Sequence, residues 1–176
     1  MRIVIESYLT EQRLKVALQQ IFGNDWLGGQ VGLPNSRRRF DMAFRLNSAI
    51  VLVEYDGDEH YRHSLKIKAD REKDILASKN GMRLVRIPYW VQLDTMMAMH
   101  WFGIEVQIEQ SFLHGFITTK LFPASFCELG IARFIRELDA IPAEVRHDVV
   151  TSLQKRVAEY GIEYVVPEKL RPLVAA

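Results

Sequence analysis

The chain has a single cysteine, Cys127, which excludes an internal disulfide and any cysteine-rich zinc centre. That usage fits a reducing, cytoplasmic setting. Net charge is nearly absent: 23 Lys and Arg balance 22 Asp and Glu, giving +1 at pH 7. No chain-wide basic field therefore points to nucleic acid, and any such signal must be local. No uninterrupted apolar run approaches the roughly 20 residues of a membrane helix, so no membrane partner is expected. Residues 1–10 carry Glu6 within a short apolar stretch and lack a signal-peptide pattern. Repeats and low-complexity segments are missing as well. What remains is 176 residues, 48% hydrophobic and 26% charged, enough for one sizeable core.

Leu14, Leu18 and Ile21 at helical spacing predict a first helix ending near Phe22, capped by Ser7 or Thr10. Residues 23–29 read as a turn region, 30–33 as a short strand, and Pro34-Asn35-Ser36 as a turn. Residues 38–46 alternate, with Phe40, Met42 and Phe44 on one face and Asp41 and Ala43 on the other, the pattern of a half-buried strand. Asn47-Ser48 turns the chain into residues 49–55, an apolar β-branched run typical of a central strand, ended by Asp56-Gly57. A second helix is expected over about 62–80, closed by Gly81, and a strand over 82–87, ended by Pro88. This order predicts an α/β fold of the mixed α+β kind: a small mixed sheet flanked by helices, spanning residues 1–90. Residues 91–176 read as a mainly helical extension packed on that core, with helices over 91–102, 125–140 and 143–160. Residues 104–118 fit strand or loop.

The chemistry concentrates between Arg39 and Ile87. Asp41 lies inside a strand, opposite the apolar face; alone it reads equally well as a solvent-facing charge. Strand periodicity puts Glu54 and Asp56 on one face of the next strand. Two carboxylates at the end of an apolar central strand are costly unless paired or metal-bound. With Asp41 they would make a three-carboxylate cluster suited to a hard cation, Mg²⁺ or Mn²⁺, which beside a phosphate can activate water. His60, just beyond Gly57, stands beside these acids as a general base or acid.

The pattern of Asp41, a short loop and Glu54-x-Asp56-Gly57-x-x-His60 resembles the PD-(D/E)XK nuclease superfamily. It is most similar to the branch of very-short-patch repair endonucleases and phage homing endonucleases. The resemblance covers roughly residues 10–90 and implies a restriction-endonuclease-like core acting on DNA as a metal-dependent endonuclease. It also implies site roles for Glu11, matching a first-helix glutamate, and for Asp70, eleven positions ahead of Gly81, as groups supporting His60 and the metal. A plainer reading of each stays open: Glu11 complements the helix N-terminus, and Asp70 pairs with Lys66 or Lys73 on a solvated face. One departure stands out. The lysine usual two residues after the strand glutamate is Asp56 here, and His60 is the candidate substitute. Without a substitute, the chain would be a catalytically inactive nucleic-acid-binding module of the same fold.

Arg37, Arg38 and Arg39 lead into Asp41, and Lys66, Lys68, Arg71 and Lys73 lie along the second helix. Arg37–Arg39, Lys66 and Lys73 are the expected phosphate contacts, although helix lysines also fit a solvated face. Trp90, Met96, Met97, Met99, Trp101 and Phe102 read as core or as an adaptable interface. The C-terminal half could contact DNA, form a homodimer or cap the sheet. An unrelated α+β interaction protein is a third reading, but it leaves the inward-facing acids without a role.

Overall fold

A computed structural model describes residues 1–34 and 36–175; Asn35, part of the expected turn, lies outside the described residues. Ile3 and Ile5 alternate with exposed Arg2 and Val4 to form β1 (Arg2–Ile5). The Thr10 hydroxyl accepts from the Arg13 amide at 3.3 Å and starts α1 (Glu11–Phe22), which buries Leu14, Ala17 and Leu18. Three strands follow: β2 (Trp26–Gly32), β3 (Arg39–Leu46) and β4 (Ala49–Asp56). Next come α2 (Glu59–Arg62), α3 (Ser64–Lys79), β5 (Arg83–Pro88), α4 (Thr95–Phe102) and β6 (Gln107–Gln110). The chain closes with α5 (Glu128–Ala140), α6 (Ala143–Tyr160), α7 (Ile162–Val165) and α8 (Arg171–Val174).

The main sheet has the order β2-β3-β4-β5, antiparallel except for the parallel β4–β5 pair, which α3 connects. Asn47 and Ser48 take left-handed backbone, φ 49° and 67°. A two-residue turn of that kind matches the twist of antiparallel strands. The architecture is mixed, with helices flanking the sheet and a helical C-terminus, as expected from the pattern of elements. Among the described residues, no helix is long and apolar enough to cross a membrane.

Several elements differ from the sequence reading. β1 was not anticipated; its four residues pair in parallel with β6, far away in the chain. β2 begins at Trp26, inside the segment read as a turn. The helix expected over 62–80 is two helices, because His63 is extended (φ −113°, ψ 111°). Phe40 packs with Ala43, Leu52 and Ala77, whereas Met42 and Phe44 join the opposite cluster. Regular β3–β4 pairing stops at Met42–Val53, so strict alternation does not extend to residue 40.

Met42, Phe44, Val51, Val53, Val85 and Ile87 share one continuous core with α1 and with C-terminal residues such as Trp90, Phe134 and Leu153. Each large buried side chain of this kind contributes about 1.5–3 kcal/mol, so the C-terminal half is part of what stabilises the sheet. Gly130 fixes one contact between the two halves. A Cβ there would lie 1.8 Å from the Tyr61 carbonyl oxygen, and the Cys127 amide donates to that same oxygen at 3.1 Å. Glycine therefore lets α5 press onto α2. One turn later, Arg133 is carried into the core.

Candidate functional site

Where backbone pairing of β3 and β4 ends, side chains take over. Asp41 Oδ2 accepts from the Tyr55 amide at 2.9 Å, and Gln30 Nε2 lies 3.4 Å from Asp41 Oδ1. Gln30 itself has φ 52°, a strained backbone for a residue other than glycine. Glu54, next along β4, is 2% exposed. Both of its oxygens accept from Lys73 Nζ at 2.8 Å, and it stands in register with Arg86 of β5. Burial pushes the Glu54 carboxyl up to about 7, helped by the nearby charge of Asp41 and opposed by Lys73 and Arg86. Glu11 is exposed, not turned inward with Leu14 and Leu18 as its helix spacing suggested. It nevertheless senses the same place: its carboxyl is raised by partial burial and then by Asp41, with Lys15 opposing. Glu11 and Glu54 thus both feel the charge of Asp41, and Lys73 is the one side-chain cation bonded to any of the three among the described residues.

Asp56 belongs to a different assembly. The sequence placed it with Asp41 and Glu54 on one cation; instead it is fully buried and held by cations of the protein itself. Arg86 Nη1 donates to its two oxygens at 2.9 and 3.2 Å, Arg133 Nη2 donates to Oδ2, and His60 Nδ1 lies 3.0 Å from Oδ1. Burial alone would raise the Asp56 carboxyl, but His60, Arg86 and Arg133 outweigh it and hold the group far below the usual range. Asp70 accepts from His60 Nδ1 at 2.6 Å and from Arg133 Nη1 at 2.8 Å. Arg133 is completed by Glu137 Oε1 at 2.7 Å, the His60 carbonyl at 3.2 Å and the Tyr61 ring face 5.0 Å away.

This network also revises His60. Burial lowers its pKa, but the bonds to Asp56 and Asp70 win, and the ring is pushed up to about 9. At neutral pH this favours a cation held between two carboxylates, which fits the acid side of the expected base-or-acid role better than the base side. The contact between His60 and Asp70, expected from the resemblance, is present.

The basic residues separate in the same way. Arg37, Arg38, Arg39 and Lys66 are exposed; Arg38 pairs with Glu72, and Arg39 donates to the Gln30 carbonyl at 2.8 Å. Lys73, read as a phosphate contact, instead turns inward onto Glu54. Sequence reasoning missed Arg86 and Arg133. Arg86 was detectable as the charge inside the apolar run 84–88 of the strand Arg83–Pro88. Arg133 sits beside Phe134 on the buried stripe of α5, a weaker sign.

Among the described residues, Asp56, His60 and Asp70 bring three ligand atoms within 4.8 Å of one another. They are a poor metal site nonetheless, because Arg86 and Arg133 already neutralise them, and a divalent ion would add charge to a balanced cluster. The surroundings of Asp41 fit better. Glu11, Asp41 and Glu54 offer hard oxygen donors, and the carboxyls of Glu11 and Glu54 are raised by burial and then by the charge of Asp41. No protein-family model matches this chain, and neither the curated proteins nor the solved structures contain a match to it.

Proposed function

We propose that the chain is a metal-dependent endonuclease that hydrolyses phosphodiester bonds in DNA, with Mg²⁺ or Mn²⁺ held by Asp41 and Glu54. The observation that carries it is that the charge of Asp41, on β3, bears on both Glu11 of α1 and Glu54 of β4, while among the described residues Lys73 is the one side-chain cation bonded to any of the three. Like charges brought together in this way leave a net attraction for a cation. When bound, the ion supplies Lewis-acid polarisation of the phosphate and a more acidic water. The chain's own residues do the rest. Tyr55 and Gln30 hold Asp41 in place, and the exposed Arg37–Arg39 segment offers positive charge for phosphates beside it. The Asp56–His60–Asp70 network, with its two arginines, fixes the end of β4 against α3 and α5. The resemblance of these motifs to PD-(D/E)XK nucleases supports the same reading, with Asp56 moved from ligand to structural anion.

Cleavage of supercoiled plasmid tests this. Wild-type protein should nick or cut DNA with Mg²⁺ or Mn²⁺ and stop on chelation. Asp41→Asn should slow cleavage by about 10²-fold, as loss of groups around a metal does. Cleavage that survives chelation or ignores Asp41→Asn would sink the proposal. The engagement of Asp56, at the position usually occupied by lysine, favours a second reading as an inactive DNA-binding module. That reading requires salt-sensitive binding with no cleavage at all.

DNA binding should itself depend on the arginine segment. Replacing Arg37, Arg38 and Arg39 with alanine should weaken binding to every sequence alike. It should also flatten the salt dependence by about one unit of slope per lost phosphate contact. An unchanged slope would place the contacts on another surface.

A further inference from the structure

Lys73 is placed unlike the other lysines of α3. Its Nζ is 2.8 Å from each Glu54 oxygen, its side chain is only 18% exposed, and its ammonium lies 5.5 Å from the centre of the Phe40 ring. Lys66, on the same helix, is exposed. Arg86, the other cation that bears on Glu54, is committed to Asp56 and Asp74. An ammonium that meets both oxygens of one carboxylate uses the lone pairs that a divalent ion would need. It also repels that ion.

We propose that Lys73 is a tethered counter-ion for the candidate metal site: it holds the Glu54 carboxylate in place and competes with the divalent ion for it. The inference rests on Asp41 and Glu54 being the pair that holds the ion. Binding of the ion then requires the ammonium to leave Glu54. Its flexible four-carbon stem keeps it close by, where it is a positive charge available to the phosphate being cut. Lys73 is a positioning residue towards Glu54, and its effect on the ion is separable from its effect on cleavage.

The test is Mn²⁺ binding to the full chain, measured by the electron spin resonance of free Mn²⁺ at pH 8. Lys73→Met should bind Mn²⁺ about tenfold more tightly than wild type, a usual size for coupling between two ligands of one site. It should at the same time cut plasmid about 10²-fold more slowly, the loss expected for one preorganised charge. Lys73→Arg, which keeps the charge, should bind Mn²⁺ close to the wild-type affinity. Lys73→Gln gives the same readout as Lys73→Met should the latter fail to fold. Mn²⁺ bound by the neutral variants but not by wild type supports the proposal in its strongest form. Equal or weaker binding by the neutral variants, with wild-type binding that Asp41→Asn abolishes, overturns the role of Lys73 and leaves the metal site standing. Absence of Mn²⁺ binding in wild type and variants alike overturns both.

Discussion

Arg133→Met is expected to destabilise the fold by about 3–5 kcal/mol, the usual loss when one partner of a buried ion pair is removed. Arg133 is 3% exposed, and it donates to Asp56, Asp70, Glu137 and the His60 carbonyl. Its removal leaves two buried carboxylates, Asp56 and Asp70, with only Arg86 and His60 to offset them. In a chain of this length each kcal/mol lowers the melting temperature by about 2–4 °C, so the shift should be on the order of 10 °C. Arg136→Met on the exposed side of the same helix should change stability by less than about 0.5 kcal/mol. Adding Asp70→Asn to Arg133→Met should cost less than the sum of the two single changes, because the second removes a charge the first left unpaired. A melting temperature for Arg133→Met equal to that of Arg136→Met would show that the network contributes nothing.

His60 should make stability fall as pH rises from about 6.5 to about 9. Its pKa, pushed up to about 9, lies above the ordinary 6.5, so the folded state binds the proton more tightly than the unfolded chain. The stabilisation is therefore complete below pH 6.5 and is lost as pH climbs through the folded value. The separation corresponds to roughly 3 kcal/mol. Glu54 behaves with the same sign at lower pH: its carboxyl, raised to about 7, contributes stability below about 4.5 that disappears as pH approaches 7. Asp56, lowered by its cations, has the opposite sign and loses its contribution as pH falls into the acid range. Denaturant unfolding at pH 6 and pH 9.5 separates them. His60→Ala should be clearly less stable than wild type at pH 6 and should lose most of the remaining fall between pH 6.5 and 9. Parallel profiles for wild type and His60→Ala across that interval would remove His60 from the network's energetics.

Both expectations turn on contacts that local pattern does not contain. The apolar run of β4 and the alternation in β3 marked the sheet centre, because burial on one or both faces writes directly into residue order. The turn at Asn47-Ser48 and the cap at Thr10 were readable for the same reason: each needs particular side chains at particular positions. β1 was not readable. Four residues are too short for a period, and the strand exists only because β6 arrives beside it. The extended residue at His63, which divides the predicted helix, likewise has no marker such as glycine or proline.

The same division runs through the candidate site. Residue order alone established a mixed fold, the strand positions of Asp41, Glu54 and Asp56, and the closeness of His60 to them in the chain. It could not assign partners to those acids, because a charge's role depends on which opposite charges reach it. Three-dimensional packing made that choice. Gly130 lets α5 close on Tyr61, Arg133 and Arg86 neutralise Asp56 and Asp70, and His60 becomes a clamped cation. Lys73 turns in to Glu54, and among the described residues no side-chain cation is bonded to Asp41 or Glu11. Electrostatic energy falls off with distance in space, not with separation along the chain, so these assignments follow from folding and could not be read from order alone.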